Sequence, residues 1–218
     1  MTRGNSITIK SLTLLTAAAL GGCGFLPDHV HPVYTPTNTT KIRAARNVAL
    51  AVHAVNDNPT GNKISVTKNG YDIPVSNVYI NISKDFSSAI KKGLRSDGFN
   101  INKNSDVKLI ATVQYLYSHE SNGWSGIKQN ASGKVMVQVS SNSGYLFRKL
   151  FEVNGIELKR NNLFGYGAFR SKIATELVND MVNQIVTDPQ VIDALFRAAG
   201  KTPPADLGVT VPASVSAH

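Results

Sequence analysis

The sequence predicts an α+β domain: a two-layer sandwich in which helices cover one face of a mostly antiparallel sheet of about four strands. Three observations carry this. Val107, Leu109, Ala111, Val113, Tyr115 and Tyr117 alternate with other residues from Asp106 to Ser118, the period of a half-buried strand. Val135, Val137 and Val139 alternate again over Lys134 to Ser140. After the turn formers Asn142-Ser143-Gly144, Tyr145 to Gly155 follows as a hairpin mate. Apolar residues at helical spacing recur as Phe86, Ala89, Ile90 and Leu94, and as Ile173, Leu177, Val178, Met181 and Ile185. Strands and helices in separate runs build layers of each kind.

The elements come in this order. The first 22 residues have a basic start with Arg3 and Lys10, an apolar run from Leu12 to Leu20, and small residues before Cys23, the layout of an export signal. The run is well short of the ~20 residues a transmembrane helix needs. Leu20-Gly21-Gly22-Cys23 looks like a bacterial lipobox, in which the thiol is diacylated and the chain is cut before it. Glycines let the backbone enter a protease cleft in extended form. Two or three fatty chains, at ~0.8 kcal/mol per buried CH₂, amount to a lasting anchor. Gly24 follows, rather than the Asp that resembles an inner-membrane retention signal, so the outer membrane is the expected destination.

Residues 23–40 read as the lipidated cysteine and a tether with Pro27, Pro32 and Pro36. As a coil this tether spans about 20 to 25 Å, which would let the body stand clear of the membrane. A single domain is expected over 41–200 and a disordered tail over 201–218, where Pro203, Pro204 and Pro212 lie among small residues.

Within the body, Asn47 to Val55 reads as a strand ending at the turn cluster Asn56-Asp57-Asn58-Pro59, and a weaker strand follows at Lys63 to Thr67. The first helix takes Ser83 as its N-cap and closes at Gly98. A polar loop is expected from His119 to Asn130, between two strong strands. The long helix Ala168 to Val186 and a shorter one, started by Asp188-Pro189, complete the body.

Charge and cysteine usage narrow the function. The chain carries a formal charge of +9, and removal of Arg3 and Lys10 with the leader leaves +7. A basic balance favours anionic partners. Nucleic acid is excluded by the export signal and by the absence of a dense Lys/Arg cluster with interleaved aromatics. With its one cysteine lipidated, the chain has no disulfide, and an apolar core must stabilise it.

No pattern calls for a cofactor or a metal. The five histidines include no i, i+4 pair of the zinc-protease kind, and Asp28-His29-Val30-His31 sits in the tether rather than on a rigid element. His119, Glu120 and Ser121 are base, acid and nucleophile types, but neighbours along a strand point apart. Gly165-Tyr166-Gly167 lacks the third glycine of a dinucleotide loop, since position 170 is Arg. The chain is therefore expected not to be an enzyme.

Two features suit a partner. Trp124 stands in a glycine-rich polar stretch, either folded back on the sheet or exposed as an anchor, tryptophan being enriched in interface hot spots. Lys159 and Arg160 precede the apolar pair Leu163-Phe164, either as a solvated loop or as a contact for anionic headgroups.

The order of lipobox, Pro-rich tether, strand ending in Asn-Asp-Asn, helix closing on Ser96-Asp97-Gly98-Phe99, alternating strand, long hairpin and final helix pair through Ile173 to Val182 resembles the YajG-type outer-membrane lipoproteins, over about Asn47 to Ala199. The chain departs from the pattern after Gly200 and at Lys68 to Asn77. The resemblance implies a lipid-anchored outer-membrane lipoprotein facing the periplasm. The expected role is a non-enzymatic accessory or assembly module of an envelope complex, held to the membrane by its lipid and to an envelope protein partner. The alternative is a periplasmic carrier binding a lipid or glycan between sheet and helices.

Overall fold

The computed structural model describes residues 27–37, 41–68, 71, 73–123, 126–160 and 166–204. Among them the strands are β1 (Asp28–His29), β2 (Ala49–Asn56), β3 (Lys63–Lys68), β4 (Pro74–Tyr79), β5 (Asn100–Ile101), β6 (Lys108–Gly123), β7 (Gly126–Ser140) and β8 (Leu146–Arg160). The helix α1 (Ile82–Ser96) stands between β4 and β5, and α2 (Tyr166–Thr187) and α3 (Pro189–Ala198) follow β8. The expected leader, the lipobox Leu20-Gly21-Gly22-Cys23, Trp124, Gly165 and the end of the tail lie outside the described residues.

β6 is the spine of the sheet. Along one edge it pairs antiparallel with β7, from Lys108 opposite Ser140 to Gly123 opposite Gly126, and β7 pairs antiparallel with β8. Its other edge is shared between two strands that follow one another: β2 lies parallel to Lys108 through Val113, and β3 lies parallel at Ser118. β5 extends the sheet beyond β2; β4 and then β1 extend it beyond β3.

The sheet is thus eight-stranded and mixed, and the expectation of about four mostly antiparallel strands is corrected: four of its seven pairings run parallel. The cause is α1, which carries the chain back across the sheet so that β6 runs beside β2 in the same direction, as parallel pairing requires. β1 and β5, two residues each, are too short to show a period. β4 carries Pro74 and Asn77, types depleted in strands. The expected loop over His119 to Asn130 is also corrected, since β6 continues to Gly123 and β7 begins at Gly126.

Asn58 joins the two strands that share the edge of β6. The β2 ladder ends with Asp57 N–H donating to Val113 O at 2.9 Å. Beyond it, Leu116 N–H donates to Asn58 Oδ1 at 3.1 Å and Asn58 Nδ2 donates to Leu116 O at 3.4 Å. The side-chain amide takes the place of a peptide unit in the gap before β3 and satisfies backbone groups that would otherwise be buried unpaired.

All three helices lie on one face, as expected. Leu50, Phe86, Ile90, Leu94, Leu109, Leu116, Leu177, Met181 and Phe196 fill the layer between sheet and helices and are fully buried. A bulge between Val113 and Tyr115 reverses the facing of β6. Leu116 therefore points inward and Tyr115 is 42% exposed, where unbroken alternation would bury Tyr115 and Tyr117. Asn81, rather than Ser83, caps α1: its Oδ1 accepts from Lys84 N–H at 3.1 Å, and Asp85 returns a bond to Asn81 N–H at 3.0 Å.

Much of the stretch read as tether is built into the body. β1 pairs parallel with β4, Asp28 meets Arg170 of α2 at 3.0 Å, and Val30 and Tyr34 are buried. The Tyr34 hydroxyl donates to Asn183 Oδ1 at 2.8 Å, and Lys92 Nζ donates to Tyr34 O at 2.7 Å. Gly93 makes room for this: a Cβ there would stand 3.0 Å from both the Tyr34 hydroxyl and a Val186 methyl. Burial, reinforced by the nearby Asp97 carboxylate, raises the Tyr34 phenol far above its ordinary pKa.

Candidate functional site

β8 has one strand neighbour among the described residues, β7, so its outer edge presents unpaired backbone groups over a 15-residue strand. Beside the first half of that edge lies an open groove of about 700 Å³. β8 supplies Lys149, Leu150, Phe151 and Glu152; the last turns of α2 supply Asp180, Asn183, Gln184 and Thr187; Asp188, Pro189 and Thr37 close it.

Local sequence dictates this geometry. Asp188 caps α3, its Oδ1 accepting from Gln190 N–H and Val191 N–H at 3.0 Å each, while its Oδ2 pairs with Lys149 Nζ at 2.6 Å. One carboxylate thus fixes the corner between α2 and α3 and ties it to β8. The Lys149 ammonium also lies 5.4 Å from the centre of the Phe151 ring, a cation–π contact. Glu152 pairs with Lys134 of β7 at 2.7 Å. Loss of hydration raises the Asp180 carboxyl above its usual range, and Asp180 makes no ion pair among the described residues. Three carboxylates and one ammonium line the groove; Asp188 and Glu152 are ion-paired, with Lys149 and Lys134, which leaves Asp180 as the lining carboxylate outside an ion pair among the described residues. Leu146 and Leu150 stand exposed along the same edge, at 55% and 38%.

Of the site residues expected from sequence, the described ones, Lys159 and Arg160, lie away from the groove. Lys159 is near the other end of β8, where its ammonium meets Glu157 at 2.9 Å; Lys128 meets the same carboxylate at 2.7 Å. Hydrogen bonds from these two cations hold the Glu157 carboxyl below its ordinary pKa. Arg160 ends β8 opposite Ile127, at that same end. His119 is exposed whereas Glu120 is 2% exposed, bound to Lys68 N–H at 3.1 Å and to Gln129 Nε2 at 2.9 Å, so these neighbours do not converge. His29 stacks on Tyr79 at 5.4 Å, and no group of three metal-ligating side chains forms among the described residues. His53 is exposed, in a shallow 270 Å³ hollow with Lys91, Arg95 and Lys103. The groove itself escaped sequence reading because which strand forms an edge depends on sheet order. The one local signal was Asp188-Pro189, which marked the corner.

Residues 36–195 match the family of uncharacterised lipoproteins, and the chain belongs to that family. No curated protein matches the sequence. Among solved structures, a DUF330-family protein from Xanthomonas campestris is similar at 13% identity and a TM-score of 0.48, over 76% of this chain and 97% of the other. A minor lipoprotein from Acinetobacter baumannii is similar at 10% identity and a TM-score of 0.39, over 63% and 87% of the two chains.

Proposed function

We propose that this member of the lipoprotein family is of the YajG type, anchored in the outer membrane through lipid on Cys23, and works without catalysis as an accessory module of an envelope complex. It grips an extended, basic segment of a partner protein along β8. The observation that carries this reading is the open edge of β8 beside the groove that the Asp180 carboxylate lines. A partner strand added there gains main-chain hydrogen bonds, and side chains at alternate positions enter the groove. The charges at Arg148, Lys149 and Glu152 discourage indiscriminate edge pairing and favour a partner of matching charge. Gly24 behind Cys23 supports the outer membrane, and a body facing the periplasm belongs to the same proposal.

Two experiments test the two halves of the reading. Palmitate should label the wild-type protein and not Cys23→Ser; an unlabelled wild type contradicts the anchor. A photocrosslinking amino acid at Leu150, in cells, should capture one segment of another envelope protein, rich in Lys or Arg. Capture of peptides from this chain, or of no peptide, contradicts the groove's assignment.

A further inference from the structure

We propose that the end of the sheet carrying Tyr71 and Ile73 rests on the phospholipid surface that holds the Cys23 lipid, so that the body is seated on the membrane rather than tethered above it. This rests on the lipid anchor proposed above.

Strand directions gather several termini at one end. β3 and β6 run parallel and finish there, β8 finishes there, and β4 and β7 start there; β1 lies beside the last residues of β4 and runs parallel to it, so the chain before Asp28 leads toward that end. With Ser65 opposite Ser118, the last residue of β3, Lys68, comes level with Ser121, near the close of the β6–β7 hairpin. Between β3 and β4, Tyr71 is 87% and Ile73 56% exposed, a large aromatic and a large aliphatic side chain on one hairpin. Aromatic side chains of this kind settle at the headgroup level of a bilayer.

The chain leading to the lipid is fixed four β4 residues short of that end and is directed toward it. The pairs Asp28 with Val78 and His29 with Tyr79, the Asp28–Arg170 ion pair at 3.0 Å, and Val30 N–H donating to Tyr79 O at 2.9 Å hold its start against β4 and α2. From Pro27 back to Cys23 is four residues, at most about 14 Å of extended chain. From Val78 back to Pro74, beside Ile73, is also four residues, about 13 Å of strand. The length of chain between Pro27 and Cys23 therefore allows the lipid to reach the level of Ile73. Lys128 and Lys159 flank the single Glu157 carboxylate and leave this cluster of three with one net positive charge near this end, a second contact beside the lipid.

The test uses the lipidated mature protein on phosphatidylethanolamine and phosphatidylglycerol vesicles carrying an acyl-chain quencher. Lipid occupies the native thiol, so Ile73→Cys and, separately, Leu146→Cys at the opposite end each accept one environment-sensitive fluorophore. The expected result is blue-shifted, quenched emission at position 73 and neither change at 146. Bound protein with no quenching at either position overturns the seated orientation and leaves the anchor intact, and equal quenching at both overturns it as well. Protein that carries no lipid and stays off the vesicles overturns the anchor and this proposal together.

Discussion

The two halves of the β6–β7 hairpin meet at the bulge between Val113 and Tyr115 and are stabilised in different ways. In the half that begins at Lys108, Leu109, Val113, Val135, Val137 and Val139 face the helices, all fully buried. In the half that ends at Gly123 the inward positions include Ser118, Glu120 and Gln129, joined by Ser65 and Thr67 of β3, and these too are buried. Apolar burial stabilises the first half at about 25 cal/mol per Å². The second depends on hydrogen bonds: Ser65 to Ser118 O at 2.7 Å, and Glu120 to Lys68 N–H and Gln129. Alternation reports burial, and the chemistry of the inward residues decides what the burial costs.

The largest break in this comparison is Val137→Asp. An unpaired carboxylate among fully buried side chains should cost more than ~3 kcal/mol and remove cooperative melting. Asn58→Ala comes next, because it strips the Leu116 N–H of its acceptor at the junction of the halves. A loss of ~2 kcal/mol is expected, read by urea denaturation, together with faster hydrogen exchange at Leu116. Glu120→Ala leaves Lys68 N–H and the Gln129 amide without that carboxylate and should cost ~1 to 2 kcal/mol. Glu120→Gln sharpens the point. The new amide keeps an acceptor for Lys68 N–H, and Gln129 Oε1, which has no hydrogen-bond partner among the described residues, takes its donor after a flip. That variant should stay within ~1 kcal/mol of wild type. Equal losses for the two Glu120 variants would mean that charge, rather than hydrogen bonding, holds this half.

The smallest effect concerns pH at the groove. A carboxyl raised in the folded state, as Asp180 is, binds its proton more tightly folded than unfolded. Its contribution is fully present below the unfolded pKa and is lost as pH rises through the folded one. Melting temperatures of Asp180→Asn and wild type, compared from about pH 3 to 7, should show that the variant lacks a shallow decline across the carboxylate range.

Much of this architecture was legible where the signal is local. The long helix, its partner and the Asp188 cap, the β7–β8 turn, and the helix closing at Gly98, where φ is +101°, all stand as the residues imply. What escaped was set by distant parts of the chain. The Gly, Ser and Asn content of 119–130 reads as loop, yet the pairing of Glu120 with Gln129 and the β3 backbone hold it as strand. The bulge before Tyr115 leaves no mark in composition. The proline-rich stretch around Tyr34 reads as linker because its partners, Lys92, Asn179 and Asn183, lie far along the sequence. The candidate groove was hidden for the same reason: the edge position of β8 follows from the mixed strand order.

The central claim is that the groove along β8, lined by the Asp180 carboxylate, holds a basic strand from a partner. The most direct measurement is the yield of the Leu150 photocrosslink in cells, compared between wild type and the double charge reversal Glu152→Lys/Asp180→Lys, with thermal melts of both. The account predicts that the reversal abolishes the adduct while both proteins melt cooperatively within a few degrees of each other. An adduct of undiminished yield from the folded double variant would contradict it.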